Sequence, residues 1–195
     1  MGPTDEDLVA AVQAGDVSAF DVLVRRWDRK IQGAAFRVLG SPDEARDVSQ
    51  EAFMKAFRAL RGFKQEARFS SWLYQIAMNV CRDKLRRRRG REHLSLDTVV
   101  EGGEPALHQR AVADQVVHSG DLARAVAAAI ETLPQEQREV VVLKEYEGLT
   151  FPEISEILGV PLSTVKTRLY RALSQLRIEL ERQGVGIKEM TYGLR

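Results

Sequence analysis

Apolar residues recur at three- and four-residue spacing along most of the 195-residue chain, and the alternation of a half-buried strand is missing. The spacing predicts a first helix from Asp5, which can cap it, to about Ala14, where Gly15-Asp16 breaks it. A second helix starts at Asp16 or Ser18, turns Phe20, Leu23, Val24, Trp27, Ile31, Ala34, Ala35 and Val38 inward, and ends at Gly40. Ser41-Pro42-Asp43-Glu44 is a start signal: a capping hydroxyl, a proline at the first helical position and acids in the first turn. The third helix presents Ala45, Val48, Ala52, Phe53, Ala56, Phe57 and Leu60 on one face and stops at Gly62. After a polar loop over 62–70, Ser70 or Ser71 caps a fourth helix through Trp72, Leu73, Ile76, Ala77 and Val80 into an arginine run.

The pattern fades between about Arg91 and Gly120, where Gly102-Gly103-Glu104-Pro105 is a breaker cluster. It resumes with helices predicted at about 121–132, 135–146, 151–158 and 162–182, punctuated by Pro134, Gly148 and Gly159. The expectation is an all-α protein of two small helical domains, 1–91 and 121–183, joined by a flexible linker, 92–120. A tail follows at 184–195.

Residues 149–177 fit a helix-turn-helix. Thr150 suits an N-cap, Pro152 lies early in the first short helix, and Gly159 suits the left-handed residue that ends it. Ser163 or Thr164 then opens a second helix with two chemically different faces. Val165, Leu169, Ala172, Leu173 and Leu176 share an apolar stripe, whereas Lys166, Thr167, Tyr170, Arg171 and Ser174 lie opposite. No acid occurs from Pro161 to Ile178, while Lys166, Arg168, Arg171 and Arg177 are basic. Such a helix can lie in a major groove with its back on a core. The plainer alternative is a helical hairpin with a solvated basic face.

Composition adjusts this picture in a few places. A hydrophobic share of 44% supports real cores, and a net charge of +1 argues against a general polycation. The charge is segregated instead: 82–91, RDKLRRRRGR, holds seven bases and one acid, while Asp43, Glu44, Asp47 and Glu51 form an acidic strip. The single cysteine, Cys81, excludes an internal disulfide and sits in an apolar run that favours an inert core thiol over a reactive one. MGPTDEDLVAAV lacks the layout of a signal peptide, and no apolar run approaches the roughly 20 residues a bilayer span needs. A cytoplasmic protein is expected. The histidines, His93, His108 and His118, lie in or beside the linker without metal-ligand spacing, and no phosphate-cradling loop or activated nucleophile is present. No enzyme, metal or cofactor is expected.

EARDVSQEAFMKAFRAL, then Phe69-Ser70-Ser71-Trp72-Leu73-Tyr74-Gln75-Ile76-Ala77-Met78-Asn79-Val80, then Cys81-Arg82-Asp83-Lys84-Leu85-Arg86, resemble extracytoplasmic-function (ECF) sigma factors of bacterial RNA polymerase. ETLPQEQREVVVLKEYEGLTFPEISEILGVPLSTVKTRLYRAL resembles the same family's second domain, so the resemblance covers about residues 5–182. It implies that Asp43, Glu44, Asp47, Gln50, Glu51 and Phe53 bind the clamp helices of core polymerase. Asp43, Asp47, Gln50 and Glu51 do share a helix face able to pair with arginines.

It also implies that the loop and fourth helix open and read the promoter's −10 element, through Phe63, Lys64, Phe69, Ser70, Asn79, Arg82, Lys84, Arg86 and Arg87. Melting needs a pocket for an extruded base and a surface for single strands. Of the aromatics there, Trp72 is expected to pack inward, and Arg88 to Arg91 fit a flexible basic tail as well as a DNA contact. The resemblance assigns the −35 element to Ser163, Thr164, Lys166, Thr167, Tyr170 and Arg171. Family members are commonly held inactive by an anti-sigma factor, often membrane-anchored. The competing expectation is a stand-alone helix-turn-helix regulator that binds a palindrome as a dimer.

Overall fold

The computed structural model describes residues 2–64, 68–96 and 119–185, with 91–96 and 119–120 described through their backbone alone. The expected linker lies almost wholly outside the described residues, as do the three histidines' side chains and all but the start of the tail. Among the described residues every regular element is helical.

Thr4 opens α1 (Asp5–Gln13). Its hydroxyl accepts from the Asp7 N–H at 3.1 Å, and the Asp7 carboxylate accepts from the Thr4 N–H at 2.8 Å. The cap is therefore Thr4 and not Asp5, because an acid at the third helical position closes both bonds. Asp5 turns instead to Trp27, whose indole donates to it at 2.9 Å, and to Arg26. α2 (Ser18–Leu39) follows Asp16, which accepts from the Ser18 N–H at 3.0 Å. Gly40, at φ 75°, ends it in the left-handed region that side chains disfavour. Ser41 caps α3 (Pro42–Ala59) by accepting from the Glu44 N–H at 3.3 Å. A 3₁₀ turn, Leu60–Gly62, follows, and Gln13 ties its exit by donating to Leu60 and Phe63 carbonyls at 2.9 Å each. α4 (Phe69–Leu96) completes the first domain, so Ser70 and Ser71 fall inside its first turn.

α1 to α4 close around Val9, Leu23, Ile31, Ala35, Val48, Ala52, Leu60, Phe69, Leu73 and Met78. Phe57, expected inward, stands at the rim: its ring lies 4.9 Å from Phe20 yet is 42% exposed. Cys81 is fully buried, and burial, then the nearby Glu139 charge, pushes its thiol up to about 12. That is the environment of an inert core thiol.

The second domain comprises α5 (Ser119–Glu131), α6 (Gln135–Val141), α7 (Phe151–Leu158) and α8 (Leu162–Arg182). The helix expected to run unbroken over 135–146 instead widens into a π turn at Val142–Tyr146. α5, α6 and α7 pack on α8 around Val140, Leu143, Ile154, Ile157, Val165, Leu169 and Ala172. The two domains also pack on each other. α4 meets α7, and α2 meets α5, α6 and the π turn.

Candidate nucleic-acid interface

The turn between α7 and α8 is built as the sequence predicts. The Thr150 hydroxyl accepts from the Glu153 N–H at 3.4 Å, and Glu153 returns to the Thr150 N–H at 2.8 Å and hydroxyl at 2.7 Å. These bonds hold the Glu153 carboxyl below its usual range. Gly159 adopts φ 66°, and the Ser155 hydroxyl donates to the Val160 carbonyl at 2.6 Å, fixing the exit of α7. α8 starts one residue before Ser163, with no side-chain cap, because the chain enters it from Pro161 at a fixed φ of −56°. Neither Ser163 nor Thr164 caps it, which leaves first-turn N–H groups for a phosphate.

Val165, Leu169, Ala172 and Leu176 are buried, while Ser163, Lys166, Thr167, Tyr170 and Arg171 are exposed and Thr164 half-buried. Tyr170 is 65% exposed, too much for a side chain that completes a core. Thr167 donates its hydroxyl to the Ser163 carbonyl at 2.9 Å. The Lys166 ammonium lies 5.7 Å from the Phe151 ring centre, bridging the two helices of the motif. Two of the four bases are engaged: Arg168 with Glu136 at 2.7 Å and Arg177 with Glu181 at 3.0 Å. Pro134, Glu136 and Gln137 form the far wall of a groove of about 290 Å³ along Ser163, Thr164, Thr167 and Arg171.

On α3 the acidic face is present. Asp43 is 93% exposed, Asp47 is 64% and Glu51 is 41%. Gln50 is exposed beside them and Glu44 half-buried. Asp47 also accepts from the Lys84 ammonium of α4 at 2.9 Å, so the acidic face and the basic helix touch. Phe53 is not part of this face. It is 6% exposed, and its ring meets Phe20 edge-on at 6.2 Å.

The −10 candidates are split. Lys64, Asn79, Arg86 and Arg87 are exposed, and Ser70 lines a cleft of about 980 Å³ between the domains. Phe69 is fully buried, and Trp72 packs between it and Phe63, 4.6 Å from the latter. Phe69 therefore belongs to the core behind Trp72 rather than offering a ring to a base. Arg82 is held by Glu139 of α6, in contacts of 2.6 to 3.1 Å. Burial alone would lower the Arg82 guanidinium, but the hydrogen bonds and charge of Glu139 raise it.

Comparison with known proteins gives the family of the chain. Family models match twice, Sigma-70 region 2 over residues 23–91 and Sigma-70 region 4 over residues 123–176. The chain is 36% identical to the RNA polymerase sigma-H factor of Pseudomonas aeruginosa, an alignment covering 86% of this chain and 89% of the relative. It is 37% identical to the ECF RNA polymerase sigma factor SigW of Bacillus subtilis, covering 88% and 94%. The chain belongs to the ECF sigma factors.

Two solved structures resemble this ECF sigma factor at a TM-score of 0.67. CnrH bound to the cytosolic domain of CnrY shares 29% identity, over 91% of this chain and 97% of that one. The sigma factor RpoE of Bartonella quintana, bound to the anti-sigma factor NepR, shares 25%, over 85% and 98%. The likeness runs through both domains, which favours a regulated sigma factor over a stand-alone regulator.

Sequence reasoning missed the seam between the domains of this ECF sigma factor. The Arg138 guanidinium donates to the Val38 carbonyl at the end of α2 at 2.8 Å. It also donates to the Leu133 carbonyl at 3.0 Å and to that of Glu131. The Tyr74 hydroxyl donates to Glu147, and burial, then that carboxylate, raises its pKa. Arg37 lies over the Tyr146 ring at 4.2 Å. One signal was available: Glu139 precedes Val142 and Leu143 by three and four residues, so it carries a charge on a buried stripe.

Proposed function

We propose that this chain binds core RNA polymerase and directs initiation at promoters carrying two elements, with no catalysis of its own. The observation that supports it most is the pairing, in one chain, of an acidic helix face and a distant acid-free basic one. Asp43, Asp47, Gln50 and Glu51 on α3 suit arginines of a clamp helix. Ser163, Thr164, Lys166, Thr167, Tyr170 and Arg171 on α8 suit base edges and phosphates of the −35 element. Lys64, Ser70, Asn79, Arg86 and Arg87, on or before α4, suit the melted −10 strand.

Like the Bartonella quintana relative, this chain is proposed to be held by an anti-sigma factor. We place the protein in the cytoplasm on the strength of its family, with any membrane tether supplied by that partner; among the described residues no helix is long and apolar enough to cross a membrane. Transcription in vitro with core polymerase of its own host, on a promoter library, tests the proposal. Initiation confined to templates sharing two spaced elements is the expected result. No initiation above core alone would overturn it.

A further inference from the structure

The seam between the domains carries polar links beside its apolar contacts. Its polar links among the described residues include Arg138 on the Val38 carbonyl, Arg82 on Glu139, Tyr74 on Glu147, Arg68 beside Glu153 at 3.6 Å and Arg37 over the Tyr146 ring. The Arg82–Glu139 clasp has the most deeply buried carboxylate and the most bonds. Glu139 is fully buried, takes two guanidinium nitrogens of Arg82, and accepts from the Gln135 amide at 2.9 Å. Its position has a consequence for DNA. Asn79, Arg82 and Arg86 follow at three- and seven-residue spacing on α4, so they share one face. α6 therefore sits beside the surface proposed to read the −10 strand and occupies its arginine. A carboxylate held by two guanidinium nitrogens presents the same geometry as a phosphate.

We propose that Glu139 is an internal stand-in for a promoter phosphate, which holds the free chain closed and keeps α4 from single-stranded −10 DNA until the domains part. The proposal rests on the promoter reading given above. A clasp of this kind is reversible. Interfaces between domains of one chain are commonly small and polar enough to open, and a parted Arg82 exchanges one oxyanion for another. Removing the Glu139 charge leaves Arg82 half-buried against a neutral group, which tips the balance toward the open form.

The test uses the full chain with dyes on Asp21→Cys and Ser174→Cys, both exposed and on opposite domains, while buried Cys81 stays unlabelled. The probe is a labelled single strand carrying the −10 sequence selected by the transcription experiment. Glu139→Gln, alone and with Glu147→Gln, is expected to lower energy transfer between the domains. It should tighten strand binding about tenfold or more, since apparent affinity scales with the open fraction. Far-UV circular dichroism checks folding. The parent chain gives an independent reading if the variants misfold: saturating strand must lower its energy transfer, because closure and binding exclude each other. Unchanged strand affinity in a folded Glu139→Gln variant overturns the clasp as a gate, as does a parent chain that binds strand without opening. If holoenzyme still initiates in either case, only the clasp falls. If parent holoenzyme does not initiate, the promoter reading falls and takes the clasp with it.

Discussion

Replacing Phe53 separates two roles that its place on α3 admits. The resemblance to sigma factors puts it among residues that meet core polymerase, whereas the structure buries it to 6% exposure, edge-on to Phe20. Truncating a buried phenylalanine to alanine costs about 3–5 kcal/mol, since transfer energy is lost and a cavity remains. Roughly 0.5–1.5 kcal/mol of that belongs to the aromatic pair. Against a total of about 5–15 kcal/mol, Phe53→Ala strips a large share of the stability. Phe53→Leu refills most of the volume and should cost less than about 2 kcal/mol. Urea unfolding followed by circular dichroism measures both. Core-polymerase affinity of the folded Leu variant then decides the role: it should stay within about threefold of the parent, a difference under 1 kcal/mol. Asp47→Ala is the contrast. Its carboxylate is 64% exposed, so stability should move by no more than about 0.5 kcal/mol while polymerase affinity falls. A Phe53→Leu variant with parental stability but a tenfold or greater loss of polymerase affinity would refute the burial argument.

Four further expectations can be checked separately. Lys166→Ala or Arg171→Ala should weaken promoter binding by about 1–3 kcal/mol, with a loss that changes as the −35 sequence is varied; equal losses on every sequence would reduce both to phosphate contacts. Asn79→Ala should impair open-complex formation more than duplex affinity, read by permanganate footprinting against a duplex-binding titration. Thr150→Ala should cost about 0.5–2 kcal/mol in urea unfolding, because both bonds of the Thr150 hydroxyl to Glu153 are lost while the backbone N–H of residue 150 keeps its bond to the Glu153 carboxylate. The same bonds depress the Glu153 carboxyl below 4.5, so their contribution is present above that pH and is lost as pH falls through the folded value; the gap between parent and Thr150→Ala should therefore narrow on acidification. Cys81, pushed up to about 12 and buried, should react with a thiol reagent at neutral pH only as fast as the chain unfolds.

What was legible in the sequence followed from local physics. Periodicity located α7 and α8 closely, because Thr150 and Gly159 mark ends whose chemistry is set by near neighbours, whereas the start of α8, assigned to Ser163 or Thr164, falls at Leu162 after Pro161. The exposed and buried sides of α8 were legible for the same reason. The inward place of Phe53 was legible from its spacing, but the roles that the resemblance gives Phe53 and Phe69 sit uneasily with their burial, because family membership marks a position without saying whether it serves a surface or the core behind it. The seam was illegible for a different reason: its partners stand 57 residues apart for Arg82 and Glu139 and 73 apart for Tyr74 and Glu147. No helical spacing records such a pair.

The same distribution of charge would make each proposed DNA surface weak on its own. Of the four bases on α8, Arg168 and Arg177 are already paired within the chain, which leaves Lys166 and Arg171 as the principal cations of the groove face. Two neutralised phosphates give a salt slope of only about −2, far from that of an independent DNA binder. On α4, Lys84 is drawn to Asp47, Arg86 to Asp83 and Arg82 to Glu139. Each basic group can exchange an internal carboxylate for a phosphate, but the gain per exchange is small because one oxyanion replaces another. Affinity for a promoter must then come from holding both weak surfaces to one template at once, where the second contact is intramolecular and its effective concentration high. Polymerase bound through Asp43, Asp47, Gln50 and Glu51 would supply that rigid frame. By drawing on Asp47 it would also release Lys84 toward DNA, so that occupancy of the acidic face and readiness of the basic helix are coupled through one ion pair.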